Sequence, residues 1–212
     1  ALQQRAAHPV RLDDARVERV GDVVRAGDQL EVRPGSLEAA GKLDVWEFAA
    51  RSVRFVSPVG VAPCANEVLV TDAELGRVFR LNSEGKPLGS FGAEVLKRPT
   101  GIACDSQRQL VFVADTQAHD IKVFDAQGKL LETLGQRGDG DGELNYPTHL
   151  ALAKDTLYVT DMMNSRVQLF SADSALKLKF GGRGLYVGNL VRPKGVAADD
   201  EARLAQIAGS LD

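Results

Sequence analysis

Residues Arg98 to Gly135 read RPTGIACDSQRQLVFVADTQAHDIKVFDAQGKLLETLG. Pro99 suits the start of a strand but not its interior, and Gly101, Ile102 and Ala103 follow it. Leu110 to Val113 is a run of β-formers ending at Asp115. Ile121 to Phe124 alternates, with Ile121 and Val123 on one face. Asp125 to Gly128 is a turn, and Leu130 to Leu134 is a last apolar run closed by Gly135. Four short strands in sequence, each bounded by turn residues, are predicted.

The same phrase recurs on both sides. Ser57 to Gly92 reads SPVGVAPCANEVLVTDAELGRVFRLNSEGKPLGSFG, and Tyr146 to Gly181 reads YPTHLALAKDTLYVTDMMNSRVQLFSADSALKLKFG. A fourth copy starts RPKGVAADDEARL at Arg192. The opening prolines Pro58, Pro99, Pro147 and Pro193 are spaced by 41, 48 and 46 residues. Asp72, Asp115 and Asp161 end the second strands, and Leu81, Phe124 and Phe170 each follow nine residues later. The copies close at Phe91-Gly92, Leu134-Gly135 and Phe180-Gly181. A period in the forties with four strands per copy is the signature of an all-β propeller, one copy to a blade.

The phrases P-x-G-[VI]-A, LYVTD, N-x-R-V-x-L-F and G-K-L-L resemble the NHL repeat family, with MMNSRVQLF at Met162 to Phe170 the nearest match. RGDGDGELNYP resembles the loop that joins NHL blades. The resemblance covers about residues 43–199 and implies a six-bladed propeller when complete. It also implies bacterial relatives, many exported or lipid-anchored and some encoded beside multihaem cytochromes. The family's motifs are specific to the fold and not to an activity.

Blade assignments follow. Residues 1–42 are either an N-terminal arm or an extra hairpin donated to the propeller, with a hairpin in VGDVVRAGDQLEVRPG turning at Ala26 to Asp28 and one helical turn capped by Ser36. Residues 43–56 supply the second half of a blade, with strands at Val45 to Phe48 and Val53 to Phe55. Full blades occupy 57–95, 98–141 and 146–187, and 192–212 is a partial blade. DDEARLAQIAGSLD after Ala198 is not strand-like. Three full blades fall short of the roughly 240 residues of a closed ring. Either segments are missing from the sequence, or half-rings pair.

The formal net charge is −3 over 212 residues, and no basic stripe is visible. The electrostatic footprint of nucleic-acid binding is therefore absent. No run is long and apolar enough for a transmembrane helix. C-x-x-C-H, the attachment site of c-type haem, is also absent.

Candidate chemistry is sparse. His149 replaces the Gly of P-x-G, His119 lies in a surface turn before a third strand, and His8 is outside the repeat. Peptidyl amidating lyases, which are similar propellers, hold zinc through histidines at the channel mouth. By that resemblance His149, with Asp115 or Asp161, is a weak metal candidate, and the alternative function is a metal-dependent lyase or lactonase. Asp72, Asp115 and Asp161 are better read as turn braces, accepting backbone N–H groups of the turns they precede. Arg77, Asp120 and Arg166 share one repeat position, which suits salt bridges between blades at the surface. Asp139, Asp141 and Glu143 make an incomplete calcium pattern in a solvated loop. No cofactor is predicted. Cys64 and Cys104 fall in equivalent turns of adjacent blades and are a disulfide candidate, which would imply an oxidising compartment.

The reading is a non-enzymatic protein-binding or scaffold propeller in a larger assembly. The resemblance places it in the periplasm, at the cell surface or outside the cell, with a multihaem cytochrome as one implied partner. Arg137, Asp139, Asp141, Tyr146, His149, Met162 and Tyr186 are the candidate contact residues, near the loops between blades.

Overall fold

The computed structural model describes residues 54–171, 173–184 and 188–198 in full, and the backbone of three further strands at Val23–Ala26, Gln29–Val32 and Leu204–Gly209. Strand β1 (Val23–Ala26) pairs antiparallel with β2 (Gln29–Val32). The first blade is β3 (Pro58–Cys64), β4 (Glu67–Asp72), β5 (Arg77–Asn82) and β6 (Pro87–Phe91). The second is β7 (Pro99–Asp105), β8 (Leu110–Asp115), β9 (Asp120–Asp125) and β10 (Leu130–Leu134). The third is β11 (Pro147–Ala153), β12 (Thr156–Asp161), β13 (Arg166–Ser171) and β14 (Leu176–Gly181). A fourth sheet holds β15 (Pro193–Ala198) and β16 (Leu204–Gly209). Each blade is an antiparallel meander in sequence order.

The core lies between blades. On β8, Val111 and Val113 pack toward the first blade with Leu69, Val78 and Ile102. Phe112 and Ala114 pack toward the third, with Leu150, Leu157 and Val159. Strands buried on both faces read as continuous apolar runs rather than alternating ones, which is why LVFVAD carries no polar side chain before its aspartate. On β9, Ile121 and Val123 join the third-blade side, while Phe124 faces the first blade edge-on to Phe91 at 5.1 Å.

The first strands β3, β7, β11 and β15 contact one another in turn and are the innermost. Their backbones approach closely, and this explains P-x-G. A Cβ on Gly101 would stand 2.7 Å from His149 Cα and 2.8 Å from both Leu150 N and Thr148 O. Gly60 is equally tight against the Thr100 carbonyl. Gly101→Ala should therefore lower stability by roughly 1–3 kcal/mol, measured as a shift of the urea midpoint. An unchanged midpoint would contradict this interblade approach.

Threonine hydroxyls join these strands. Thr71 Oγ1 accepts from Gly60 N at 2.8 Å and donates to the Thr100 carbonyl of the next blade at 2.5 Å. In the second blade Ala114 holds the equivalent place. There Thr100 and Thr116 pair through their hydroxyls at 2.7 Å, and Thr116 donates to the Pro147 carbonyl at 2.6 Å. The bond to the next blade is kept by a different residue.

The disulfide Cys64–Cys104 also links the first two blades, with its Cα atoms 5.5 Å apart. The cysteines lie on β3 and β7 themselves rather than in the turns beyond them. Innermost strands lie closest together, so the outward divergence of blades does not separate these two residues. On the same side Arg108 pairs with Asp105 and with Asp155 of the third blade.

Two expectations need correction. The tail after Ala198 does contain a strand, β16, with Ile207 opposite Val196. Its Ala, Gln and Gly residues are weak β-formers, and the open edge of β15 supplies the pairing that local propensity does not. Arg54 and Phe55 are not in a strand, although Phe55 packs edge-on to Phe79 at 5.0 Å. The remainder of the proposed partial blade, the Ser36 turn, His8 and Tyr186 lie outside the described residues.

Candidate functional site

Strand register divides the loops between two faces. Pro147 pairs with Asp161, and Arg166 with Gly181. The interblade loops and the turns between second and third strands thus share one end of the blades, called here the loop face. The disulfide and the remaining turns lie at the other end. Arg137, Asp139, Asp141, Tyr146 and Met162 all belong to the loop face.

The three repeated aspartates are fully buried and act as braces. The Asp72 carboxylate accepts from Glu74 N and Leu75 N in its own turn, at 3.1 and 3.0 Å, and from Val56 N at 2.7 Å. Asp115 accepts from Lys97 N and Arg98 N at 2.7 and 2.9 Å, and from Ala118 N at 3.3 Å. Asp161 accepts from Asn145 N at 2.6 Å and Asn164 Nδ2 at 2.8 Å. Each carboxylate fastens the segment leading into its blade as well as the turn after it. The sequence pointed only to the turn.

Arg166 corrects the expectation of surface salt bridges. It is buried, with Nε donating to Asp161 Oδ2 at 2.7 Å. Nη1 donates to the Asp139 carbonyl, and Nη2 to those of Gly140 and Glu143, each at 2.8 Å. The loop that resembled a calcium site thus wraps a guanidinium, whose planar fork of donors suits converging carbonyls. Gln168 adds a bond to the Glu143 carbonyl at 2.6 Å. Glu143 folds back to accept from Gln136 Nε2 and Gly140 N at 3.0 and 2.9 Å, and these bonds hold its carboxyl below the ordinary value. The loop is braced throughout, not loose. At the equivalent positions, Asp120 pairs with Lys122 of its own blade at 2.6 Å, and Arg77 reaches the Leu75 carbonyl at 3.4 Å.

His119 is buried rather than set in an exposed turn. Its backbone is left-handed at φ 62°, as are Gly76 at 60° and Ser165 at 54° in the sister turns. Nδ1 accepts from Tyr146 N at 3.2 Å, and the two rings meet edge-on with centroids 4.5 Å apart. Burial, followed by the nearby Arg137, pushes the imidazole pKa below its ordinary 6.5, although Asp120, Asp161 and Asp115 oppose this. The unfolded chain therefore takes up this proton first as pH falls, so stability should decline below about pH 6.5 and level off below the folded pKa. His119→Asn can keep both the left-handed backbone and an acceptor for Tyr146 N–H. It should flatten that part of the urea-midpoint profile, and an unaltered slope would contradict the assignment.

His149 is half-buried on β11, with its backbone N donating to Thr160 Oγ1 at 2.8 Å. Among the described residues no three His, Cys, Asp or Glu side chains converge in a way that could hold a metal ion. No described helix is long and apolar enough to cross a membrane. Met162 is half-buried, and Met163 beside it is exposed. A cavity of about 330 Å3 opens on the loop face between Met163, Ser165, Arg183, Gly184, Val191 and Arg192. Neither Arg183 nor Arg192 stood out in the sequence, because single arginines in loops carry no distinguishing pattern.

A family model described as a 6-bladed beta-propeller matches residues 101–179. Protein brain tumor of Drosophila melanogaster is 29% identical over 121 residues, 55% of this chain and 11% of that protein. E3 ubiquitin-protein ligase NHLRC1 of Homo sapiens is 30% identical over 97 residues, 45% of this chain and 24% of that protein. The chain thus spans a quarter or less of either relative. Both are animal proteins, and they lend no support to the expected bacterial origin or cytochrome partner. Among solved structures, one of the nidogen/laminin complex aligns at TM-score 0.60 with 15% identity, over 86% of this chain and 72% of that one. Virginiamycin B lyase from Staphylococcus aureus aligns at 0.58 with 16% identity, over 84% and 55%. At these identities the likeness is one of fold. Repeat phrase, blade order and relatives agree that this chain folds as an NHL-type β-propeller and is similar to the NHL-repeat proteins.

Proposed function

We propose that this chain is a non-enzymatic, protein-binding propeller module and that its loop face is the contact surface. The observation that supports this most is the division of labour on that face. The carboxylates that sequence offered for chemistry, Asp115 and Asp161, are buried and spent on bracing loops, and Arg166, read as a surface charge, is spent in the same way. What the braced loops present to solvent is Tyr146, Met163 and Val191, exposed by 41%, 46% and 40%. Exposed aromatic and methionine side chains on a rigid frame suit a contact surface.

We propose that the assembly lies outside the reducing cytoplasm. The Cys64–Cys104 bond supports this, because disulfides persist in oxidising compartments. No cofactor is assigned. The lyase or lactonase alternative, built on His149 with Asp115 or Asp161, receives no support from the arrangement of side chains, since both carboxylates are fully buried and accept backbone N–H groups.

A photo-crosslinking residue at Met163, compared with one at Gln127 on the opposite face, tests the reading in the protein's native cells. Crosslinked partner bands should form from position 163 and be lost on adding Tyr146→Asp. Bands from position 127 alone would overturn it.

A further inference from the structure

Resting on the loop-face reading, we infer that the cavity between the third and fourth blades is a docking site for an acidic peptide segment carrying a bulky apolar side chain. The cavity floor and walls include Met163 from the turn after β12 and Val191 from the following interblade loop. Both are exposed large apolar groups, and at about 330 Å3 the space accepts one side chain of leucine or phenylalanine size. Tyr146 extends the apolar strip, since Met163 N bonds to the carbonyl of Asn145 beside it at 3.0 Å.

The charge lining the cavity has one sign among the described residues. Arg183 and Arg192 line the cavity, and among the described residues no acidic side chain does. Neither guanidinium has a hydrogen-bond or ion-pair partner among the described residues. Arg137 occupies the same place in the preceding loop as Arg183, because both form a parallel bridge, to Leu144 and Leu190 respectively. The contrast with Arg166 is direct: that guanidinium is consumed by three loop carbonyls and a carboxylate, whereas these have no such partner among the described residues. Unpaired guanidiniums beside an apolar pocket complement a carboxylate next to an apolar side chain, and arginine binds carboxylates in bidentate fashion. The overall negative charge of the chain makes this local excess of positive charge a feature of the site rather than of the whole surface.

The test is selection of a phage-displayed random peptide library on the whole protein, run in parallel on the R183E/R192E variant. A fluorescein-labelled single-stranded RNA serves as the competing class of probe. Selected peptides should combine Asp or Glu with Leu, Phe or Trp. Their affinity should fall roughly tenfold in R183E/R192E, and selection on that variant should favour Lys or Arg instead. Both substitutions are at exposed positions, and an unchanged urea midpoint shows that the variant is folded. Selected peptides without acidic residues that still lose binding on Met163→Asp would overturn the partner class but leave the loop-face reading standing. Peptides indifferent to R183E/R192E and to Met163→Asp alike would overturn both. Arginine-dependent binding of the RNA without peptide binding would replace the inference with nucleic-acid recognition.

Discussion

Replacing Asp161 with alanine is expected to lower folding stability by about 3–5 kcal/mol. The carboxylate is fully buried and holds Arg166 Nε at 2.7 Å, Asn164 Nδ2 at 2.8 Å and Asn145 N at 2.6 Å. Its loss leaves a buried guanidinium without a counter-charge, and leaving one partner of a buried pair is what makes such losses large. The effect should be coupled to Arg166: the losses from Asp161→Ala and Arg166→Met should not add up to that of the double variant, because the double variant no longer strands a charge. Urea denaturation of the four species forms the required cycle. Additive losses would mean that the carboxylate and guanidinium do not act as one unit.

Removing the disulfide is the second large effect. Cys64 and Cys104 close a loop with a sequence separation of 40, and a loop of that length corresponds to about 4 kcal/mol in the chain-entropy account. The C64A/C104A variant should unfold at a markedly lower urea concentration than the oxidised protein. Full reduction of the wild type should bring its midpoint close to that of the variant. Two thiols titratable before reduction would contradict the assigned bond, and a midpoint unchanged by full reduction would contradict its stabilising role.

Much of the fold was legible because the sequence states each blade several times. Pro99, Asp115 and Phe124 mean little singly, but their offsets recur at Pro58, Asp72 and Leu81 and at Pro147, Asp161 and Phe170. Repetition converts weak local preference into a strong pattern. Strand β16 escaped notice because its pairing comes from the neighbouring β15, which composition does not record.

The candidate surface was legible only in outline. The loop Arg137 to Tyr146 drew attention by its glycines and aspartates, yet its order comes from Arg166, 26 residues away along the chain from Gly140. Arg166 read as a surface charge because its repeat partners Arg77 and Asp120 share no common role with it. His119 read as exposed for a related reason. Its turn is an exposed turn in the pattern, but Tyr146 from the next blade covers its ring. Contacts between blades decide both cases, and a repeat pattern describes only contacts within one.

Hydrogen–deuterium exchange with and without a peptide selected on the intact protein tests the contact surface most directly. The account predicts slowed exchange at the amides of Asn145, Tyr146, Met162 and Met163 and through residues 188–192, with the turns at Ala65-Asn66 and Ala126-Gln127 unaffected. Protection confined to those latter turns, beside the disulfide, would contradict it.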